Sequence, residues 1–260
     1  MRKRADVLLV ERGLADSRAQ AQALILAGRV RGPNHQAVDK PGRELDEAAP
    51  LEVERPPRFV SRGGDKLDHG LDELGVDVRG RDALDVGAST GGFTDVLLQR
   101  GAARVVALDV GYAQLHERLR ADPRVTVLER TNVRELDELP FAPDLVVCDV
   151  SFISVRTALP PALRLAKPGW EAVVLVKPQF EAGRRDVGRG GVVRDPDVHR
   201  RVLRGVAETA PAWGAEPAGV VDSSLKGPKG NREFFLHLRQ REQPHLPHDL
   251  DAWIDRAVGG

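Results

Sequence analysis

The stretch Ala83-Leu84-Asp85-Val86-Gly87-Ala88-Ser89-Thr90-Gly91-Gly92-Phe93-Thr94-Asp95-Val96-Leu97, followed closely by Val105-Val106-Ala107-Leu108-Asp109-Val110, decides how the rest of the chain is read. An apolar run (Ala83, Leu84, Val86) stops at a turn of small residues, and an amphipathic run continues from Phe93 to Leu98. A second apolar run closes on Asp109. Strand, glycine turn, helix, strand and acid make half of a nucleotide-type binding unit in an open α/β sheet. Glycines let backbone approach a ligand and leave helix amides facing it, while the acid can take both hydroxyls of a ribose.

Several chemistries compete for this stretch. A dinucleotide fingerprint G-x-G-x-x-G fails, because its second glycine would fall on Ser89. Gly87-Ala88-Ser89-Thr90-Gly91 fits a G-x-S-x-G nucleophile elbow with Ser89 as attacker, but that elbow follows earlier strands and little α/β pattern precedes residue 82. The third reading is the D-x-G-x-x-x-G loop of S-adenosylmethionine methyltransferases, which needs this strand to come first in its domain, as it does. It assigns Asp85, Gly87, Ser89, Gly91, Gly92, Phe93 and Thr94 to the loop and Asp109 to the ribose. A turn of purely structural purpose is the alternative. Asn132, after the strand 125–128, is placed either to read a ligand base or simply to make a turn.

The 260 residues allow one large domain or a large and a small one. Met1-Arg2-Lys3-Arg4-Ala5-Asp6 has no secretory pattern, and no run approaches the roughly 18 apolar residues of a membrane span. The single cysteine, Cys148, excludes an intrachain disulfide and fits a reducing cytoplasm. Formal charge is zero, yet Lys and Arg outnumber Asp and Glu by 12 to 9 over residues 1–62 and by 13 to 8 over 177–241. Both stretches suit a polyanion, although such excesses also occur on ordinary surfaces. Only seven of the 39 basic residues are lysines, so each lysine asks for a reason; lysine can be made to release its proton and arginine effectively cannot.

Residues 5–12 and the run from Asp16 or Ser17 to Gly28 read as two helices, the second with Ala19, Ala23, Leu24, Ile25 and Leu26 inward. Short strands joined by turns follow to residue 53. Arg4–Ala15, Ser17-Arg18, Ala27-Gly28-Arg29-Val30 and Asp39-Lys40-Pro41-Gly42 together resemble the small RNA-binding domain named after ribosomal protein S-four. The resemblance implies that Arg18, Arg29, Arg31 and Lys40 face RNA; the Gly32-Pro33-Asn34-His35 turn departs from that family's pattern. Glu54-Arg55-Pro56-Pro57-Arg58 reads as a stiff linker, giving domains 1–58 and 59–260.

In the second domain, Gly63-Gly64 suggests a tight turn presenting Lys66 at a helix start. Helix is expected over 111–120, strand over 125–128, then a buried-type strand ending at Asp149 and another, 172–176, ending at Lys177. Residues 183–191 make a basic loop, either a lid over a site or plain surface. A helix over 195–210, strands at 218–221 and 233–238 and a short tail helix complete the chain. Alternating strands and helices predict a mostly parallel sheet with ligands at the strands' carboxyl ends.

Lys66, Asp149, Lys177 and Glu233 then fall where they converge at one rim. A free lysine, with a pKa of ~10.4, is a poor base near neutrality; a neighbouring cation and partial desolvation lower that value and release a neutral amine. Such a set suits removal of a proton from a ribose hydroxyl beside an electrophilic methyl group. Four unrelated surface charges are the alternative from the residues alone.

The order Lys66, Asp149, Lys177, Glu233 resembles the Lys-Asp-Lys-Glu tetrad of FtsJ-type ribose 2′-O-methyltransferases. Added to it are the blocks 60–67, 85–94, 148–154, 176–181 and 230–234, and with the N-terminal segment the chain over about 4–240 resembles the TlyA family of haemolysin A-like rRNA methyltransferases. The resemblance implies a seven-stranded Rossmann-like methyltransferase sheet behind a small α+β RNA-binding domain. It implies S-adenosylmethionine as cofactor, no metal, and a cytidine 2′-hydroxyl of ribosomal RNA or a ribosomal subunit as target. Lys177 is then the base, with Lys66, Asp149 and Glu233 positioning and tuning it. Two rivals remain: a membrane-lytic protein, as the haemolysin name suggests, and an rRNA-binding protein that has lost activity.

Overall fold

The computed structural model describes residues 1–54, 57–227 and 229–260. Arg55 and Pro56 of the expected linker, and Pro228 of the 226–231 turn, lie outside the described residues. The chain divides into two compact units, Met1–Pro57 and Arg58–Gly260.

The first unit runs β1 (Arg2–Arg4), α1 (Ala5–Glu11), α2 (Arg18–Leu26), β2 (Val30–Arg31), β3 (Glu44–Asp46) and β4 (Glu52–Val53). β1 pairs antiparallel with β3, and β2 with β4. Ser17 caps α2, its side chain accepting from the Gln20 amide, which satisfies one of the helix's orphan donors. The core is Leu8, Leu9, Ala21, Ile25, Val30 and Leu45 with smaller neighbours. The apolar face expected on α2 is corrected: Ala21 and Ile25 are inward, while Leu26 is 72 % exposed and Ala19 and Ala23 face out. Strands β1 and β3 had no apolar signature to announce them. They are charged strands whose register sets Arg2 opposite Asp46 and Arg4 opposite Glu44.

The second unit runs α3 (Arg62–Leu74), β5 (Asp82–Val86), α4 (Gly92–Gln99), β6 (Arg104–Leu108), α5 (Glu117–Arg120), β7 (Val125–Leu128) and β8 (Leu145–Cys148). It continues α6 (Val155–Arg164), β9 (Glu171–Val176), α7 (Pro178–Glu181), α8 (Pro196–Thr209), β10 (Ala215–Asp222), β11 (Phe234–Gln240) and α9 (Leu250–Gly259). Seven strands form one sheet in the order β10-β11-β9-β8-β5-β6-β7. The five from β5 to β9 are mutually parallel, and β11 is antiparallel to both β9 and β10. Side chains alternate across the sheet, so both faces are covered. Leu84, Val146, Val174 and Phe234 belong to a core with residues of α6, α8 and α9, while Ala83, Val147, Leu175 and Phe235 belong to one with α3 and α4. Burying each such large side chain stabilises by about 1.5–3 kcal/mol.

The order β8-β5-β6 places the topological switch at β5, where crossovers to either side leave a crevice outside the strands' carboxyl ends. Two expectations fail beside this crevice. Gly63-Gly64 is no turn but lies inside the first turn of α3, where a side chain at Gly64 would strike the Phe59 ring. Helix over 111–120 shrinks to α5, because the Asp109 carboxylate takes the Gly111 amide at 2.6 Å and holds the chain in an Asx-type turn.

Candidate active site

At the carboxyl edge of the sheet lies a cavity of about 670 Å³, large enough for a small-molecule ligand. The turn after β5 and the start of α4 line it with Gly87, Ala88, Ser89, Thr90, Gly92 and Phe93. Lys66, Asp149, Lys177 and Glu233 line it too. Lys66 comes from the second turn of α3; Asp149 and Lys177 immediately follow β8 and β9. Glu233 stands just before β11, not within it, and because β11 runs antiparallel its start reaches the rim where the parallel strands end.

The four side chains form two ion pairs. Lys66 Nζ donates to Glu233 Oε2 at 2.6 Å, both side chains nearly buried at 10 % and 2 % exposure. Lys177 Nζ lies 2.5 Å from Asp149 Oδ1 and donates to Ser151 Oγ at 2.9 Å. Charges this far from water persist only when paired, so each ammonium and carboxylate holds the other in place. Gly87 makes the arrangement possible: its φ is +87°, and a Cβ there would lie 2.5 Å from the Asp149 carbonyl oxygen. The Asp149 amide in turn donates to the Val86 carbonyl at 2.9 Å, locking the ends of β5 and β8 together.

The other residues expected to bind cofactor divide into three groups. Gly87, Ser89, Gly92 and Phe93 line the cavity. Asp85, Thr94 and Gly91 support it from behind. Asp85 is wholly buried and accepts from Thr94 Oγ1 at 2.6 Å, and its other oxygen, Oδ1, has no protein partner. Burial, reinforced by the charge of Asp149 and opposed by the Thr94 bond, raises its pKa to about 7. At Gly91 a side chain would collide with Leu115 and Leu119. Asp109 and Asn132 are occupied otherwise. Asp109 accepts from the Ser89 amide at 2.8 Å as well as from Gly111, tying the glycine turn to the segment after β6. Asn132 caps a short 3₁₀ turn, accepting from the Arg134 amide at 3.2 Å and donating to Glu135 at 3.1 Å; it does not line the cavity.

Ser89 has a φ of +48°, but its hydroxyl donates to Gln114 at 3.3 Å, and no histidine lines the cavity among the described residues, so the Ser–His pair of a nucleophile elbow is not formed there. In the basic loop, Val187 and Gly191 reach the cavity. Its far end is clamped by Asn231, which is 3 % exposed, donates to the Gly191 carbonyl at 2.9 Å and accepts from the Val193 amide at 2.9 Å. Ser151, Gln179 and Asn231 were not singled out from the sequence. Each lies inside a matched block, yet only its contacts reveal what it does.

In the first unit, Arg18 donates to the buried Asp6 at 3.1 Å, and Arg31 pairs with Glu54 at 2.8 Å. Arg29 is half-buried and Lys40 is exposed in its turn.

Residues 59–240 match the family model of FtsJ-like methyltransferases, and residues 3–49 match that of the S4 domain. The chain belongs to the FtsJ-like methyltransferase family. The 16S/23S rRNA (cytidine-2′-O)-methyltransferase TlyA of Mycobacterium tuberculosis is 48 % identical over 99 % of this chain and 97 % of that protein. Hemolysin A of Brachyspira hyodysenteriae is 38 % identical over 90 % of this chain and 99 % of that one. A solved structure from Streptococcus thermophilus, carrying a hemolysin name, superposes with a TM-score of 0.75 at 39 % identity, covering 99 % of this chain and 96 % of that chain. Among the described residues no helix is long and apolar enough to cross a membrane.

The methyl donor of an FtsJ-like methyltransferase is S-adenosylmethionine, and the cavity fits it. The turn at Gly87 has no room for a side chain, and the wall beside it carries apolar surface at Ala88 and Phe93.

Proposed function

We propose that the chain methylates a ribose 2′-hydroxyl of ribosomal RNA, at a cytidine, with Lys177 as general base. The observation that carries this reading is the meeting of Lys177, Asp149, Lys66 and Glu233 as two ion pairs on the wall of one cavity. The target class is taken from the M. tuberculosis relative, whose name states cytidine-2′-O methylation of 16S and 23S rRNA.

S-adenosylmethionine supplies an electrophilic methyl group on a positively charged sulfur. Lys177, once its resting ammonium proton has passed to solvent, takes the 2′-hydroxyl proton and leaves the ribose oxygen as the nucleophile that the donor's methyl group would meet. Asp149 then holds the ammonium that forms, and Ser151 fixes its direction. Lys66, anchored on Glu233, lends the cavity positive charge as the oxygen gains electron density. Gly87, Ser89, Gly92 and Phe93 hold the donor at the turn after β5, with Asp85 behind it. The S4 domain, through Arg18, Arg29, Arg31 and Lys40, binds the RNA. An rRNA substrate puts the reaction in the cytoplasm.

Tritium transfer from labelled S-adenosylmethionine to ribosomal subunits tests the assignment. Lys177→Ala loses about 10²–10⁴-fold in rate, the usual contribution of a general base, while donor affinity stays near that of the parent. Comparable turnover by the variant would refute it. Wild type that binds subunits but transfers no label would favour the inactive RNA-binding alternative, and leakage of dye from liposomes the lytic one.

A further inference from the structure

Asp149 and Lys177 stand on two segments that follow neighbouring strands, 149–155 after β8 and 177–181 after β9. Nearest the sheet these segments meet where Lys177 reaches Asp149 and Ser151. They meet again at Glu181, the last residue of α7, whose side chain is 1 % exposed. Its Oε2 accepts from Ser154 Oγ at 2.7 Å and its Oε1 from the Val155 amide at 2.6 Å. Both donors stand at the start of α6, where unpaired helix amides favour a carboxylate.

The segment that Glu181 grips has little else to fix it. The Asp149 amide is bonded to Val86, but among the described residues no amide from 150 to 154 donates to a backbone carbonyl. Phe152 has a φ of +65°, a left-handed conformation that an aromatic residue keeps only when its surroundings impose it. Ser151 lies in this segment, between the fixed Asp149 and the Ser154–Val155 step that Glu181 holds. Its hydroxyl is one of the two groups that direct the Lys177 amine.

We propose that Glu181 is a positioning residue for methyl transfer: by bridging α7 to the start of α6 it holds Ser151 against Lys177 and so keeps the amine aimed at the reacting hydroxyl. This rests on the reading of Lys177 as the base of a 2′-O-methyltransferase. Misplacing a reacting group by ~1 Å costs up to about 10²-fold in rate, so a brace that never touches substrate still acts on turnover. The two carboxylate oxygens serve two different donors, so what the bridge needs is reach. Glutamine keeps that reach: its amide oxygen accepts from Val155, and its amide nitrogen donates to the Ser154 hydroxyl, which accepts as well as donates. Aspartate keeps the charge but is one methylene shorter.

Methyl transfer to ribosomal subunits is measured for Glu181→Asp and Glu181→Gln, and for each combined with Ser151→Ala. Glu181→Asp lowers kcat about 10–100-fold with KM for the methyl donor unchanged, while Glu181→Gln stays close to the parent rate. Ser151→Ala is slowed as well, and adding Glu181→Asp slows it no further, because both changes remove the same contact. Losses that multiply overturn the proposal, and so does a Glu181→Gln as slow as Glu181→Asp, which assigns the effect to charge. A Glu181→Asp that melts at lower temperature yet turns over at the parent rate also overturns it and leaves Glu181 a support for the fold. Where Glu181→Asp does not fold, Ser154→Ala removes one arm of the bridge and lowers kcat about tenfold; an unchanged kcat there counts against the proposal equally. A crystal structure of the folded variant gives a measurement that needs no activity: Ser151 Oγ leaves hydrogen-bond reach of Lys177 Nζ, and an unchanged contact overturns the bridge's role. Absence of any methyl transfer by wild type overturns the functional reading itself, a result distinct from all of these.

Discussion

Asp85 sits at the end of β5 with no exposure and with one oxygen that no protein group satisfies. Its raised pKa, about 7, has a definite consequence for stability. Between the ordinary carboxylate value near ~3.9 and about 7, the folded protein holds a proton that the unfolded chain has lost. That contribution is therefore complete at low pH and disappears as pH rises through about 7. Thermal melts of the ligand-free protein should show wild type losing stability between about pH 4 and 7 more steeply than Asp85→Asn, whose amide cannot ionise; parallel curves would contradict this origin. Gly87→Ala is expected to destabilise by about 1–3 kcal/mol, since φ of +87° and the Asp149 carbonyl both exclude a side chain. Denaturant midpoints measure it. Gly87 is visible in the sequence as a turn residue, but the neighbour that demands it is 62 positions away, and local pattern carries no such information.

At the scale of elements, the ends of strands decide where chemistry occurs. Parallel pairing of β5, β8 and β9 brings Gly87, Asp149 and Lys177 to one edge, and the reversed direction of β11 brings Glu233 to the same edge. The strands themselves were legible because both-sided burial writes continuous apolar runs. Segment 111–116 was not, because its composition suits a helix while the Asp109 side chain competes successfully for the Gly111 amide. Asn231 is the second such device, joining the turn before β11 to the loop at Gly191–Val193. Asn231→Ala should speed amide exchange across residues 183–194 while leaving β11 protected; unchanged exchange in the loop would show that the clamp is dispensable. The opened loop borders the cavity at Val187 and Gly191, so KM for RNA rises more than that for the methyl donor.

For the molecule as a whole, two units with separate cores carry separate tasks in the proposed reading. Removing residues 1–57 should weaken RNA binding by far more than donor binding, and calorimetric titration with each ligand distinguishes the two; a larger loss of donor affinity would reverse the assignment. Arg18 and Arg31 are already paired with Asp6 and Glu54, so in the proposed reading they would meet RNA as pre-oriented guanidiniums and not as loose chains. The resemblance of the N-terminal segment to an RNA-binding domain pointed these arginines at RNA; nothing in the sequence named the carboxylates that aim them.

By itself the sequence determined the alternation of strand and helix and the glycine turn after β5, because burial periodicity and turn chemistry act over a few neighbouring positions; the four ionisable residues stood out through their resemblance to the FtsJ-type tetrad. Only the tertiary structure decided that Lys66 answers Glu233 and Lys177 answers Asp149, and that Asp109 serves the turn's own amides. Those pairings join groups as much as 167 positions apart, and which partner a buried charge or amide finds is set by the sheet's strand order and direction, which no local stretch encodes.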